Sequence, residues 1–236
     1  MKDNRSYYDD FAGWYERERH HGYHAMLDRL QVGIARPLSV GKDVLELGCG
    51  TGLILKEIDP FARKAVGLDI SRGMLEQARG RGLNVMAGSA TDLPFADGSF
   101  DFVYSFKVLA HVQAIEQAMR EVHRVLRPGG KAALEFYNKT SLRYLIKKFK
   151  RPNKVSDQTN DHEVYTRYDS LSEVRRYLPN GLKVVDVRGV RVFTPFAQAH
   201  KVPGVAQVLG TAERIARDRA VTARLGGFLV VIVEKA

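Results

Sequence analysis

The run VLELGCGTG at residues 44 to 52 constrains this chain more than any other stretch: apolar residues lead to an acid at Glu46, and glycines then stand at 48, 50 and 52. A short apolar segment ending in a carboxylate and alternating glycines reads as a buried strand that turns into a loop, where the backbone must approach something closely. Such a loop holds a ligand. The dinucleotide fingerprint G-x-G-x-x-G needs a third glycine at position 53, and this chain has Leu53 there. That residue weakens the pyrophosphate reading, so the remainder of the chain has to decide what the loop holds.

Five strands are predicted at DVLEL (43–47), KAVGLD (64–69), LNVMAG (83–88), SFDFVYSF (99–106) and KAALEFYN (131–138). Helices separate them at 53–58, at SRGMLEQARG behind the N-cap Ser71, and at 114–126, which Arg127-Pro128-Gly129-Gly130 stops. Strands alternating with helices imply an α/β fold with a parallel, doubly wound sheet and helices on both faces. Residues 6–32 predict two short amphipathic helices split near Gly22, and Pro37 and Gly41 end the pattern. After residue 139 the alternation loosens into a helix at 169–178 capped by Asp169 or Ser170, a period-2 strand at 182–193, a helical stretch at 203–221 and a last strand at 228–235.

Composition matters for what it excludes. At 236 residues and 44% hydrophobic content the chain suits one domain with a full core. The longest uncharged apolar run, GGFLVVIV (226–233), falls far short of the roughly 20 residues of a membrane helix. No apolar leader follows Met1, so the cytoplasm is the expected location. Cys49 is the single cysteine, which rules out an internal disulfide and a Cys-rich metal site. His20, His21 and His24 lie close together, but no acids stand at ligand spacing, and no metal is expected. The formal charge of +10 is uneven: KTSLRYLIKKFKRPNK (139–154) holds seven Lys and Arg and no acid. It reads as a solvated face, as a lid, or as a peripheral contact with an anionic membrane.

In open α/β sheets ligands bind at the carboxyl ends of the strands. Here those ends carry Glu46 with the glycines, then Asp69, then Asp92 after the third strand. A carboxylate ending the second strand can accept both hydroxyls of a ribose, and Asp92 can accept from the exocyclic amine of an adenine. So much negative charge would serve a pyrophosphate badly.

These residues resemble the class I S-adenosylmethionine-dependent methyltransferases, of the small-molecule, quinone-methyltransferase-like kind. ELGCGTG matches the family's acid-x-Gly-x-Gly-x-Gly motif, GLDIS puts Asp69 at the ribose position, GSATDLPFADGSFDFVYS matches the adenine segment and fourth strand, and REVHRVLRPGG matches the entry to the fifth. The resemblance covers roughly residues 40 to 138. It implies a Rossmann-like three-layer sandwich with a mostly parallel seven-stranded sheet of order 3-2-1-4-5-7-6, its last strand antiparallel, with extra N-terminal helices and a helical insertion near the C-terminus. A single domain is expected, divided into an N-terminal helical lid (1–36), a cofactor core (37–138) and substrate-side elements (139–236).

The resemblance also implies roles. S-adenosyl-L-methionine is the expected cofactor, with Glu46 orienting the glycine turn and the cofactor's amino group, and Gly48, Cys49 and Gly50 lying along its methionine part. Asp69 takes the ribose diol. Ile70 and Met74 cover the adenine opposite Leu93, Asp92 reaches the amine, and Ala90 and Phe106 are further cofactor-binding candidates. Tyr8, with Phe11, and Tyr15 close over the methionine end.

Methyl transfer from a sulfonium is an in-line displacement, so the protein mainly aligns the reactants, and a base is needed only when the acceptor is protonated. His111 is the candidate base. Tyr137, Asn138, Phe193, Thr194 and Phe196 are candidates for the acceptor pocket. YSFKV (104–108) lacks the Asn/Asp-Pro-Pro-aromatic motif of N6-adenine and N4-cytosine enzymes, and no cysteine outside the loop is present for C5-cytosine chemistry. The expected partner is therefore a small metabolite with an O, N or C nucleophile in preference to nucleic acid, of which N7-guanine and 2′-hydroxyl targets stay open. The alternatives are a membrane-associated enzyme acting on a lipid or quinone, and a non-catalytic binder of S-adenosylmethionine.

Overall fold

The computed structural model describes Asp9 and residues 22–149, 165–194 and 204–236. Seven strands form one sheet in the order β3-β2-β1-β4-β5-β7-β6, the order the resemblance implies. They are β1 (Asp43–Leu47), β2 (Lys64–Asp69), β3 (Val85–Ala87), β4 (Phe100–Ser105), β5 (Leu126–Tyr137), β6 (Leu182–Val190) and β7 (Phe228–Lys235). The first five pair in parallel, and β7 runs antiparallel to both β5 and β6.

Helices cover both faces. They are α1 (Gly22–Ser39), α2 (Leu55–Ile58), α3 (Arg72–Gly80), α4 (Ile115–Val125), α5 (Leu142–Phe149), α6 (Leu171–Tyr177), α7 (Val205–Arg217) and α8 (Ala220–Ala223). Alternation along β1 separates two apolar cores. Leu45 and Leu47 join Val122, Val125 and Met119 of α4, and Val44 joins Met26, Leu27 and Leu30 of α1 on the opposite face. A strand buried on both faces reads as a continuous apolar run, which is why 43–47 and 228–233 stood out.

Several boundaries differ from the sequence reading. Gly22–Ser39 is one helix with Pro37 inside it. Proline there forgoes one hydrogen bond in the last turn, where Ser39 Oγ donates back to the Ala35 carbonyl at 2.9 Å. The expected turn at 127–130 lies within β5: Phe100 pairs with Leu126 and Phe102 with Lys131, so the Pro-Gly-Gly segment is an irregularity absorbed by the ladder. The third strand shortens to three residues because Gly88 and the polar SATD segment follow it. Ser71 does cap α3, accepting from Met74 N at 3.2 Å. Between the two cap candidates at 169–170 the structure selects Ser170, which forms a capping box with Glu173.

Candidate functional site

The turn after β1 passes through Gly48, Gly50 and Gly52 at φ of 72°, 53° and 81°, a region that L side chains enter only under strain. The three glycines answer to different neighbours. A Cβ on Gly48 would stand 2.2 Å from Val108 Cγ2, and one on Gly52 would stand 2.3 Å from Leu83 Cδ1. Among the described residues a Cβ on Gly50 would meet nothing within 4 Å. Gly48 and Gly52 are thus glycine so that the protein can pack, and of the three Gly50 alone faces space that no described residue fills.

Parallel pairing sets Leu47 beside Leu68, which brings the end of β2 against the turn. The Leu68 carbonyl accepts from Gly48 N at 2.7 Å and Cys49 N at 3.0 Å. Asp69 braces the turn further: Oδ2 accepts from Gly50 N at 2.7 Å and Oδ1 from Ser71 N at 2.9 Å. Burial pushes the Asp69 carboxyl above its ordinary range, and the amides of Ser71 and Gly50 pull against that shift. Two ionised carboxylate oxygens offer about four acceptor sites, so the amides of Ser71, Gly50 and Ile70 do not exhaust them and leave capacity for a ligand hydroxyl.

Glu46 is 3% exposed, and its Oε2 accepts from the Tyr104 hydroxyl at 3.0 Å. Burial, then the neighbouring Asp69 and Asp28 charges, push its carboxyl well above the usual range against the pull of the Tyr104 bond. Tyr104 was absent from the sequence reading, although register pairs it with Glu46. Cys49 turns its thiol under β2, against the space where a side chain on Gly67 would lie. Burial and the Glu46 charge raise that thiol's pKa, so it is a packing group and not a nucleophile.

The carboxyl ends of the neighbouring strands β2 and β3 carry the expected adenine residues. Met74 and Leu93 are buried, Ile70 and Ala90 are half-buried, and Asp92 is exposed. Phe106 is buried in the core beside Tyr104, with ring centroids 5.5 Å apart. Asp9 caps the start of α3, accepting from Ser71 Oγ at 2.6 Å and Gly73 N at 3.1 Å. Tyr8, Phe11, Tyr15 and Phe196 lie outside the described residues.

His111 ends a single 3-10 turn after β4. Its Nδ1 lies 2.8 Å from the Tyr165 carbonyl, which can only accept, so Nδ1 carries the hydrogen and Nε2 holds the lone pair. The ring meets Tyr137 edge-on, with centroids 5.6 Å apart. The structure therefore brings the candidate base and one acceptor candidate together. It corrects another: Asn138 is buried, donates to the Arg224 and Gly226 carbonyls at 2.8 Å each, and accepts twice from Thr140. The amide nitrogen is committed to the loop before β7 and the amide oxygen to Thr140. Thr194 is buried, with its backbone N held by Glu213. Phe193 lies on the surface at 51% exposure.

Sequence reasoning missed a polar chain along the same edge. Lys107 Nζ pairs with Asp28 at 2.7 Å, Lys107 N donates to Glu135 Oε1 at 3.0 Å, and Gln31 donates to Glu135 Oε2 at 2.6 Å. The available signal was a charge inside an apolar strand, KAALEFY, and a glutamine in the apolar stripe of α1. Among the described residues no three His, Cys, Asp or Glu side chains gather as a metal site.

Residues 45–134 match the family model described as a methyltransferase domain. This segment is similar to the methyltransferase domains that the model describes. The chain is similar to an O-methyltransferase of Aspergillus sclerotiorum, 35% identical over 113 residues that cover 44% of this chain and 43% of that one. It is also similar to a demethylmenaquinone methyltransferase of Symbiobacterium thermophilum, 37% identical over 103 residues, 39% of this chain and 41% of that one. The match spans well under two thirds of either relative. In fold, 97% of the chain superposes on 98% of an S-adenosylmethionine-dependent methyltransferase from Thermotoga maritima, with a TM-score of 0.68 and 20% identity. No helix among the described residues is long and apolar enough to cross a membrane.

Proposed function

We propose that this chain transfers the methyl group of S-adenosylmethionine to an O, N or C nucleophile of a small metabolite. One observation carries the reading: Gly50, held by Asp69 and set beside buried Glu46, is the glycine of its loop whose open side no described residue fills. Carboxylates around an open backbone suit a cationic nucleoside and repel a phosphate. The bound cofactor would supply an electrophilic methyl on a sulfonium. Glu46 would hold its amino group, Gly48, Cys49 and Gly50 its methionine part, Asp69 its ribose, and Ile70, Met74, Ala90, Asp92, Leu93 and Phe106 its adenine.

The remaining work belongs to the chain. Residues 1–36 form the lid, 37–138 the cofactor core and 139–236 the acceptor side of a single domain. Rigid placement of acceptor and methyl is worth roughly 7–11 kcal/mol of barrier, and closure keeps water from the sulfonium. His111 removes the acceptor's proton through Nε2. The reaction is placed in the cytoplasm.

Calorimetry with the demethylated cofactor, S-adenosylhomocysteine, tests the first half: binding by the intact chain and its loss on Asp69→Ala are expected. Incubating the protein and methyl-labelled cofactor with phenols, amines and quinones tests the second. Binding without any labelled product, from these or from a cell extract, would mean a non-catalytic binder. Absence of binding would remove the reading altogether.

A further inference from the structure

The carboxyl edge continues beyond His111 into a cluster of rings and two arginines. Arg143, in the first turn of α5, lies over Tyr137 at 5.1 Å and over Phe228 at 4.7 Å. Arg191, directly after β6, lies over Tyr23 at 4.9 Å and donates from Nε to the Thr194 carbonyl at 3.0 Å. A Cβ on Gly227 would stand 3.3 Å from Cδ of both arginines, so the two stems flank one point of the chain. The cluster draws on the end of β5, the start of β7 and the end of β6, the half of the sheet away from the glycine turn.

Two guanidinium groups crowded over aromatic faces need an explanation. Burial and the Arg143 charge both weaken Arg191's hold on its proton, so like charges face one another here. Arg143 Nη1 is buried without a hydrogen-bond partner, and among the described residues no carboxylate forms an ion pair with it. The nearby acids are committed elsewhere: Glu135 accepts from Gln31 and Lys107, and Glu213 accepts the amides of Val192, Phe193 and Thr194, which positions the loop carrying Arg191. A buried unsatisfied donor on a cation carries a desolvation penalty, which a bound anion would remove. A guanidinium stacked on a ring keeps its planar N–H edge for a two-oxygen acceptor; on Arg143 that edge carries the unsatisfied Nη1, whereas Arg191 also shares a hydrogen bond with Tyr23 and adds its charge.

We propose that Arg143 and Arg191 form the anion-binding end of the acceptor pocket, and that the acceptor is a planar aromatic compound bearing a carboxylate or phosphate. Tyr137, Phe228 and Tyr23 pack against its ring, and Tyr137 joins this end to His111, where the nucleophile sits. The inference rests on the methyl-transfer reading for the word acceptor, but the anion preference stands by itself as a binding property.

The test is calorimetry on the full chain, with and without saturating S-adenosylhomocysteine, using 4-hydroxybenzoate, 4-hydroxyphenyl phosphate and the neutral 4-hydroxybenzyl alcohol. At least one anionic probe should bind about tenfold or more tighter than the alcohol, and added salt should weaken it. Whichever anion binds tighter names the group. Arg143→Gln should erase the preference and leave S-adenosylhomocysteine affinity unchanged. Equal binding of anionic and neutral probes, no binding of either anion, or a preference that survives Arg143→Gln would overturn the proposal. A parallel loss of S-adenosylhomocysteine affinity would also overturn it, since the arginine would then serve the methyl donor. The comparison on the unaltered chain decides the matter even if the variant fails to fold. Loss of S-adenosylhomocysteine binding by the unaltered chain would instead strike the methyl-transfer reading, with the anion preference still measurable.

Discussion

Substituting Gly48 and Gly50 separately by alanine should divide stability from ligand binding within one turn. Both residues have positive φ, 72° and 53°, and an alanine there costs about 1–2 kcal/mol. At Gly48 the new methyl would also lie 2.2 Å and 2.8 Å from the two methyls of Val108, and overpacking of that kind adds about 1–3 kcal/mol. Gly48→Ala should therefore lower unfolding free energy by about 2–5 kcal/mol. Gly50→Ala, with nothing within 4 Å of its Cβ, should lower it only by the backbone strain. The binding order should be reversed: Gly50→Ala puts a methyl into the space assigned to the cofactor and should weaken S-adenosylhomocysteine by at least about tenfold. Urea unfolding and calorimetry on both variants measure the two quantities, and Val108→Ala added to Gly48→Ala should recover part of the lost stability. Equal destabilisation by the two alanines, or unchanged affinity in Gly50→Ala, would refute the division.

Three further outcomes follow from charge. Burial raises the Glu46 carboxyl well above the ordinary range, so its ionisation opposes folding increasingly as pH rises through the unfolded value toward the folded one. Glu46→Gln should accordingly gain stability relative to the unaltered protein between acidic and mildly alkaline pH while losing S-adenosylhomocysteine affinity; a stability difference independent of pH would contradict this. Asp43, at the opposite end of the sheet, is pulled down to about 2 by Arg63 and then Arg127. Its contribution is present above the unfolded carboxylate value and lost as pH falls through about 2, and since Arg63 is 61% exposed the loss in Asp43→Asn should be only about 1 kcal/mol, seen by denaturation at neutral pH and absent near the lower value. His111→Gln should reduce turnover of a protonated acceptor such as a phenol by roughly 10²-fold or more and leave an already ionised acceptor little changed. Equal losses on both in steady-state kinetics would make His111 a structural residue.

The fold, and the strand-end cluster proposed for the cofactor, were legible because their determinants are local. Glu46, the glycines, Asp69 and Ser71 each sit at the end of a strand or start of a helix whose apolar run marks it in the sequence, and parallel register then brings those ends together. The acceptor side was not readable in the same way. Tyr137 could be proposed because it leaves β5 at the carboxyl edge, but Arg143 looked like one charge in a basic run, and Tyr23 and Arg191 were invisible as partners across 168 positions of chain. Asn138 shows the opposite error: a polar residue at the expected edge, spent on holding the Arg224 and Gly226 carbonyls. Glycine identity had the same ambiguity. The spacing G-x-G-x-G does not say which glycine faces a ligand, and only the positions of Val108 and Leu83 assign Gly48 and Gly52 to packing.

The two ends of the site also differ in how they are held. On the cofactor side, Gly50 N, Ser71 N and the Tyr104 hydroxyl already occupy oxygens of Asp69 and Glu46, so the loop is set in shape before any ligand arrives. Preorganisation of that kind lowers the ordering cost of binding and suits a ligand common to every turnover. On the acceptor side the contacts are ring against ring and guanidinium against ring, which tolerate lateral movement, and Arg143 keeps a buried nitrogen unsatisfied. A rigid socket beside an adaptable, cationic one allows the first ligand to be bound the same way each time while the second is chosen by charge and planarity. Selectivity among acceptors should therefore change with substitutions at Arg143, Arg191 and Tyr23, and cofactor affinity with substitutions at Gly50, Glu46 and Asp69, with little exchange between the two sets.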